Sequence, residues 1–266
     1  MTQYSMVIDL QKCVGCGICA IACKTENNTQ DRTADQSFNW ADFILVEKGK
    51  FPNMQYFIYP VLCNHCSDPP CAAVCPVSPK AMYKKENGIT MHNEERCIGC
   101  QSCQDACPYS EMEIAGSPHG YSVISFNGSE PNAFYLDDSV MLPGITSSGK
   151  EVSAITGSTP PHKTVFQHPD YRSIREYGIV EKCTFCEHRL QLQEMPACVE
   201  ACPAGARIFG DKHDPASEVS ILLKTHQARM LKNNRAEFLK PAQSGHGPNV
   251  FYINTYMVPE RTEKGT

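Results

Sequence analysis

Short apolar runs, rather than long amphipathic stretches, punctuate this chain. Met6-Val7-Ile8-Asp9 and Ala206-Arg207-Ile208-Phe209 read as strands near its two ends. Tyr56 to Leu62 reads as a strand that carries one proline and runs into a cysteine motif. Ala81 to Tyr83 and Ile89 to Met91 read as two strands of a hairpin around Lys84–Gly88, with Asn87-Gly88 as the turn signal. Farther on, DPASEVSILLKTHQARML predicts a helix with Asp214 as N-cap and Pro215 at the first helical position. Val219, Leu222, Leu223, Met230 and Leu231 give it an apolar face for core packing. Pro248 to Ile253 reads as a late strand, and the charged tail after Pro259 as frayed. Residues 111–180, rich in Gly, Ser and Pro, read as an insertion of loops and short strands. Its aromatics Tyr121, Phe126, Phe134 and Tyr135 favour a surface that docks a neighbouring subunit over an idle loop.

No apolar run approaches the roughly 18 to 20 residues that span a bilayer. The opening MTQYSMVIDLQKC has no basic region, apolar stretch or twin arginine, so neither a membrane span nor an export signal of its own is expected. A net charge of −5 gives no basic surface for nucleic acid. Hydrophobic residues make up 41% of the 266, but that includes 16 cysteines. Without them the ordinary apolar content is low for a chain that must bury a core. Bound metal is the usual substitute when apolar burial is thin.

The cysteines form four groups with none left over: Cys13, Cys16, Cys19, Cys23; Cys63, Cys66, Cys71, Cys75; Cys97, Cys100, Cys103, Cys107; and Cys183, Cys186, Cys198, Cys202. Each opens with C-x₂-C and closes with C-x₃-C, and Cys75, Cys107 and Cys202 precede a proline. A disulfide framework belongs to small exported chains, and thiols this close in sequence bridge only with strain. Structural zinc sites pair C-x₂-C with a second C-x₂-C, a spacing that fails here four times. The first and third groups carry the C-x₂-C-x₂-C-x₃-C run of bacterial ferredoxins, the first without its proline. There, three thiolates from a tight loop bind one [4Fe–4S] cube. The fourth cysteine begins a helix and reaches the other cube of a pair.

Groups two and three are neighbours joined by the hairpin and complete one two-cluster module. Groups one and four are left to pair across the chain, which would make Met6–Asp9 and Ala206–Phe209 adjacent strands. Four [4Fe–4S] clusters follow: cluster 1 on Cys13, Cys16, Cys19 and Cys202; cluster 2 on Cys183, Cys186, Cys198 and Cys23; cluster 3 on Cys63, Cys66, Cys71 and Cys107; cluster 4 on Cys97, Cys100, Cys103 and Cys75. The fold class is α+β, with two bacterial-ferredoxin-like modules, one nested inside the other. The outer module takes residues 1–62 and 181–215, the inner 63–110, the insertion 111–180, and a C-terminal helix, strand and tail 216–266.

The stretches MVIDLQKCVGCGICAIACKTEN, CNHCSDPPCAAVCP, RCIGCQSCQDACPY and VEKCTFCEHRLQLQEMPACVEACPAGARIFGD together resemble the four-cluster electron-transfer subunit of the complex iron–sulfur molybdoenzymes. That family includes the beta subunits of dimethyl sulfoxide, polysulfide, thiosulfate, tetrathionate and arsenate reductases, and related quinone reductase complexes. The resemblance implies two partners, a large molybdenum- or tungsten-pterin catalytic subunit and a quinone-reactive membrane-anchor subunit. Clusters 1 and 2 would lie nearer the catalytic partner. It implies a peripheral place in a membrane-associated complex, at the periplasmic face by co-export with the partner. A relay in a hydrogenase or formate dehydrogenase, or a freestanding polyferredoxin, is the alternative. No nucleotide-binding, P-loop or serine-hydrolase motif is present and no acid–base pair stands out, so no catalytic residue is assigned. Lys12, Arg96 and Lys182 each precede a group's first cysteine, as cluster-tuning cations or plain solvated charges. His65 and His188 lie inside motifs already supplied with four thiols, so packing or partner contact suits them better than ligation.

Overall fold

A computed structural model describes residues 2–27, 29, 40–110, 122–127, 140, 142–157, 178–231 and 246–255. Its elements in chain order are β1 (Tyr4–Asp9), α1 (Ile18–Asn27), β2 (Ala41–Lys48), β3 (Gln55–Leu62), α2 (Pro70–Ala73), β4 (Met82–Lys84), β5 (Thr90–His92), α3 (Ser102–Asp105), β6 (Ile124–Asn127), α4 (Gly149–Thr156), β7 (Ile179–Lys182), α5 (Glu187–Gln191), α6 (Ala197–Glu200), β8 (Arg207–Asp211), α7 (Glu218–Thr225) and β9 (Val250–Ile253).

The apolar run Met6-Val7-Ile8 is wholly buried because it forms the middle strand of the sheet β8-β1-β9. β8 pairs with it antiparallel, placing Met6 opposite Phe209 and Ile8 opposite Arg207. The adjacency of these distant segments is as the sequence suggests. β9 adds a parallel partner that the sequence does not assign, with Val7 opposite Phe251. Successive side chains of a strand point to opposite faces. Met6 and Ile8 therefore join the core that holds Cys23, Cys63, Cys183 and Cys198, while Val7 packs with Ile208, Val219 and Ile253. α7 covers that second face. It begins after Ser217 rather than at Asp214. The Asp214 carboxylate instead accepts from the Ala216 N–H at 2.9 Å, a turn that delays the helix. Met230 and Leu231 fall beyond its end.

The hairpin β4–β5 has Tyr83 opposite Met91, and its strands lie one residue from the expected positions. Its turn touches the N-terminal strand, where the Tyr4 N–H donates to the Asn87 carbonyl at 3.0 Å. β3 has a full-length antiparallel partner, β2, which the sequence pattern does not announce. Within 111–180 there is a helix as well as loops. α4 carries a capping box between Ser148 and Glu151. β6 pairs with β7, so the insertion contributes a strand beside the fourth cysteine group. Phe126 lies on β6, whereas Tyr121, Phe134, Tyr135 and the tail after Pro259 lie outside the described residues. Among the described residues no helix is long and apolar enough to cross a membrane.

Candidate metal centres

The structure gathers the sixteen thiols into four sets. Cys13, Cys16, Cys19 and Cys202 line one cavity, with Arg207 in its wall. Cys75, Cys97, Cys100 and Cys103 line another. In the third set, Cys23 comes from α1 to stand beside Cys183, Cys186 and Cys198. Burial first, then these three thiols, raises its pKa well above normal. The Asn27 amide spans the set, donating to the Cys23 sulfur at 3.5 Å and to that of Cys186 at 3.8 Å. In the fourth set, burial and then Cys71, with Cys63 and Cys66 behind it, raises Cys107. Each set thus takes three thiols from one group and one from another.

The sets also neighbour one another in a row. Besides burial, Cys19 raises Cys198, Cys63 raises Cys183 and Cys103 raises Cys71. Each of these pairs crosses from one set to the next. Cys71, Cys103 and Cys186 are pushed up to about 12, chiefly by burial. Exposed Cys100 goes the other way, lowered by hydrogen bonds from Ser102. Thiols this averse to ionising serve as ligands only if a cation compensates the thiolates, because metal binding removes the protons outright.

The loops share one backbone device. Gly15 (φ +67°), His65 (+42°), Gly99 (+69°) and Phe185 (+55°) each stand directly before the second cysteine of their group, in the left-handed region. This turn aims backbone N–H groups into the loop. Glycine suits it at the row's two ends. His65 and Phe185 adopt it despite a penalty of about 1–2 kcal/mol each. They meet in the middle of the row, rings stacked at 3.7 Å, which returns about 0.5–1.5 kcal/mol beyond burial. The sequence holds no signal for this contact.

The two glycines predict different costs. A methyl at Gly15 would meet only side-chain atoms of Ile58, its Cδ1 tip at 2.6 Å, which can turn away, and its Cβ at 3.2 Å, which must give by a few tenths of an ångström. At Gly99 it would lie 2.0 Å from the Gly178 carbonyl oxygen, which is backbone. Gly15→Ala should therefore cost about the left-handed penalty of ~1–2 kcal/mol and Gly99→Ala clearly more. Thermal melts of the two variants side by side check this, and equal melting temperatures would count against it.

The shell around the thiols fits iron–sulfur cubes. The His65 Nδ1 accepts from the Thr90 N–H at 3.1 Å, so its proton sits on Nε2. Burial lowers the His65 pKa and keeps the ring neutral. That Nε2–H has no protein partner, nor do the Asn64 amide nitrogen, the Thr184 and Tyr109 hydroxyls, or Nε and Nη2 of Arg207. An orphaned buried donor costs about 1–3 kcal/mol. Cluster sulfides and thiolates are the acceptors that would satisfy several at once. Among the described residues no three His, Cys, Asp or Glu side chains converge as one metal ion would need.

The other charged residues separate by burial. Lys12 and Arg96 are exposed, and Arg96 lies over the Tyr83 ring at 6.0 Å. Lys182 is buried, its ammonium donating to the Thr90 and Cys183 carbonyls. The His188 Nε2–H donates at 2.6 Å to the Glu26 carboxylate, which also pairs with Arg189 at 3.0 Å and so ties α1 to α5. Arg207 and Phe185 are the residues that sequence reasoning misses. The only signal for Arg207 is a cation inside an apolar run.

Comparison with known proteins points to iron–sulfur domains. The 4Fe-4S dicluster domain family matches residues 54–117 and 138–212, and the 4Fe-4S binding domain family residues 6–26. The chain is 44% identical over 257 residues, 96% of its length and 98% of the other's, to the arsenate respiratory reductase iron-sulfur subunit of Shewanella sp.. It is 31% identical to a tetrathionate reductase subunit of Salmonella typhimurium over 94% of its length and 72% of the other's. It is 30% identical to the menaquinone reductase iron-sulfur cluster-binding subunit of Nitratidesulfovibrio vulgaris over 95% and 89%.

Proposed function

The chain belongs to the family of iron–sulfur electron-transfer subunits of respiratory reductases, built on 4Fe-4S dicluster domains, and from that premise we propose that it carries four [4Fe–4S] clusters in one row. Clusters 1 to 4 take the ligands Cys13, Cys16, Cys19 and Cys202; Cys183, Cys186, Cys198 and Cys23; Cys63, Cys66, Cys71 and Cys107; and Cys97, Cys100, Cys103 and Cys75. The two modules nest, the outer closed by the pairing of β1 with β8. When bound, each cube supplies a one-electron site. The protein holds the cubes in order and keeps water from the middle two.

One observation carries the relay reading. Cys16 and Cys100, in the two end sets, are exposed, whereas all eight thiols of the middle sets are buried. A row with accessible ends and a dry centre takes electrons in at one end and releases them at the other. Exposed apolar side chains mark both ends, Val14, Ile18 and Ile21 beside cluster 1 and Ile98 beside cluster 4. The cluster 1 end docks a large molybdenum- or tungsten-pterin catalytic subunit and the cluster 4 end a quinone-reactive membrane subunit. The complex sits peripherally on the membrane, at the periplasmic face. The higher identity to the arsenate-respiring relative makes arsenate the first acceptor to assay. Buried Lys182, between the central sets, is the tuning cation of that region, while exposed Lys12 and Arg96 are screened.

Anaerobic affinity purification, with mass spectrometry and metal analysis of what remains bound, tests this. A pterin-binding subunit with molybdenum or tungsten supports it. A nickel–iron or flavin subunit, or no stoichiometric partner, moves the chain to another machine or to a freestanding carrier.

A further inference from the structure

We propose that Arg207 is a counter-charge shared by clusters 1 and 2, raising the reduction potential of both and of neither other cluster. The inference rests on the four-cluster reading above.

Arg207 opens β8 opposite Ile8, so forming the β1–β8 ladder buries it to 3% exposure. Its Nη1 donates to the sulfurs of Met6 at 3.6 Å and of Cys198 at 3.8 Å. The guanidinium also lies against Cys19 and lines the cavity of Cys13, Cys16 and Cys202. It therefore touches both sets of the outer module. Among the described residues no carboxylate pairs with it. The nearby Tyr252 hydroxyl stays protonated, donating to the Pro60 carbonyl at 2.7 Å. A guanidinium is always charged and presents five N–H donors in a fixed fork. Here Nε and Nη2 remain without a protein partner. A permanent charge is not left alone in a dry interior. Among the described residues, the groups in its reach that become anionic are the thiols of the two sets, once they hold iron. Lys182 differs, since its donors go to backbone carbonyls.

The electrostatic consequence is specific. Reducing a cluster adds one negative charge, which a cation in the same low-dielectric pocket favours. The thiols beside its guanidinium, Cys198, Cys19 and those of the cavity it lines, all belong to the outer sets, so its charge acts first on that pair.

The test is a potentiometric titration of the isolated complex followed by electron paramagnetic resonance, with Arg207→Gln, Arg207→Met and Arg207→Lys compared with the parent. Cys13→Ser and Cys23→Ser assign the signals of clusters 1 and 2. Iron and sulfide analysis of the parent comes first, because fewer than four clusters there refutes the four-cluster reading rather than this inference. Both neutral variants should lower two potentials by at least tenfold in the reduction equilibrium, ~59 mV for one electron. Arg207→Lys should restore most of the shift. Loss of the outer pair's signals in both neutral variants, with retention in Arg207→Lys, also supports the charge. Unchanged potentials, a uniform shift of all four, or equal damage in Arg207→Lys overturns it.

Discussion

Cys23→Ser should empty cluster 2 and spare cluster 1. In sequence Cys23 closes the first group, four residues from Cys19. In space α1 carries it away from that group to Cys183, Cys186 and Cys198, where it is 4% exposed and bound through Asn27. A serine hydroxyl is a poor substitute for a soft thiolate. In a buried set no water stands ready to complete the coordination. Iron content should fall by about a quarter, one cube of four. One resonance should vanish while that of Cys13, Cys16 and Cys19 persists. The functional effect should be larger than the analytical one, because cluster 2 lies inside the row. In the complex proposed above, electron transfer through the row should collapse while the catalytic partner keeps its activity with artificial donors. If the resonance of the first three cysteines disappears instead, the exchange of fourth ligands is wrong.

What the sequence makes legible is local chemistry. Spacing within a group is a property of one loop, so the four cysteine groups can be written down from the order of residues alone. The closing of β1 on β8 follows once two groups have no other partner. Contacts made by remote segments are hidden. Nothing in CNHC or CTFC announces that His65 and Phe185 share glycine's left-handed turn, because the stack that offsets it joins residues 120 positions apart. Arg207 reads as part of a strand, and only the ladder to Ile8 shows how deeply it is buried. Other misses are readable in principle. The Ser148–Glu151 capping box is a plain helix start inside a segment whose composition reads as loop. Asp214-Pro215 matches a helix start just as well, yet the carboxylate is engaged by the Ala216 N–H and the helix waits for Ser217. Local signals compete there, and side-chain packing of Val219 against Val7 decides.

Stripping the clusters should unfold the chain rather than leave an empty scaffold. The main core contains Cys23, Cys63, Cys183 and Cys198 among its aliphatic and aromatic members, and a second core contains Cys66, Cys71, Cys103 and Cys107. Each cube would therefore replace hydrocarbon that an ordinary core would have. Without it, these thiols face one another across voids, and the packing lost there is not recovered. The orphaned donors each cost about 1–3 kcal/mol, and Arg207 becomes an unpaired buried charge, a defect of about 3–5 kcal/mol. Against this, the net stability of a domain is only about 5–15 kcal/mol, while even a single structural zinc ion contributes ~10–16 kcal/mol in zinc-finger peptides, which sets the scale for a bound cube. The metal term exceeds the whole margin. Anaerobic chelation should therefore abolish the visible iron–sulfur absorbance and the far-ultraviolet ellipticity in one coincident transition. The short elements around the loops, such as α2 and α3, should be lost with the β1–β8 sheet. An iron-free chain that kept its ellipticity and a cooperative thermal melt would mean that the apolar residues alone suffice, and that the cubes are guests of the fold.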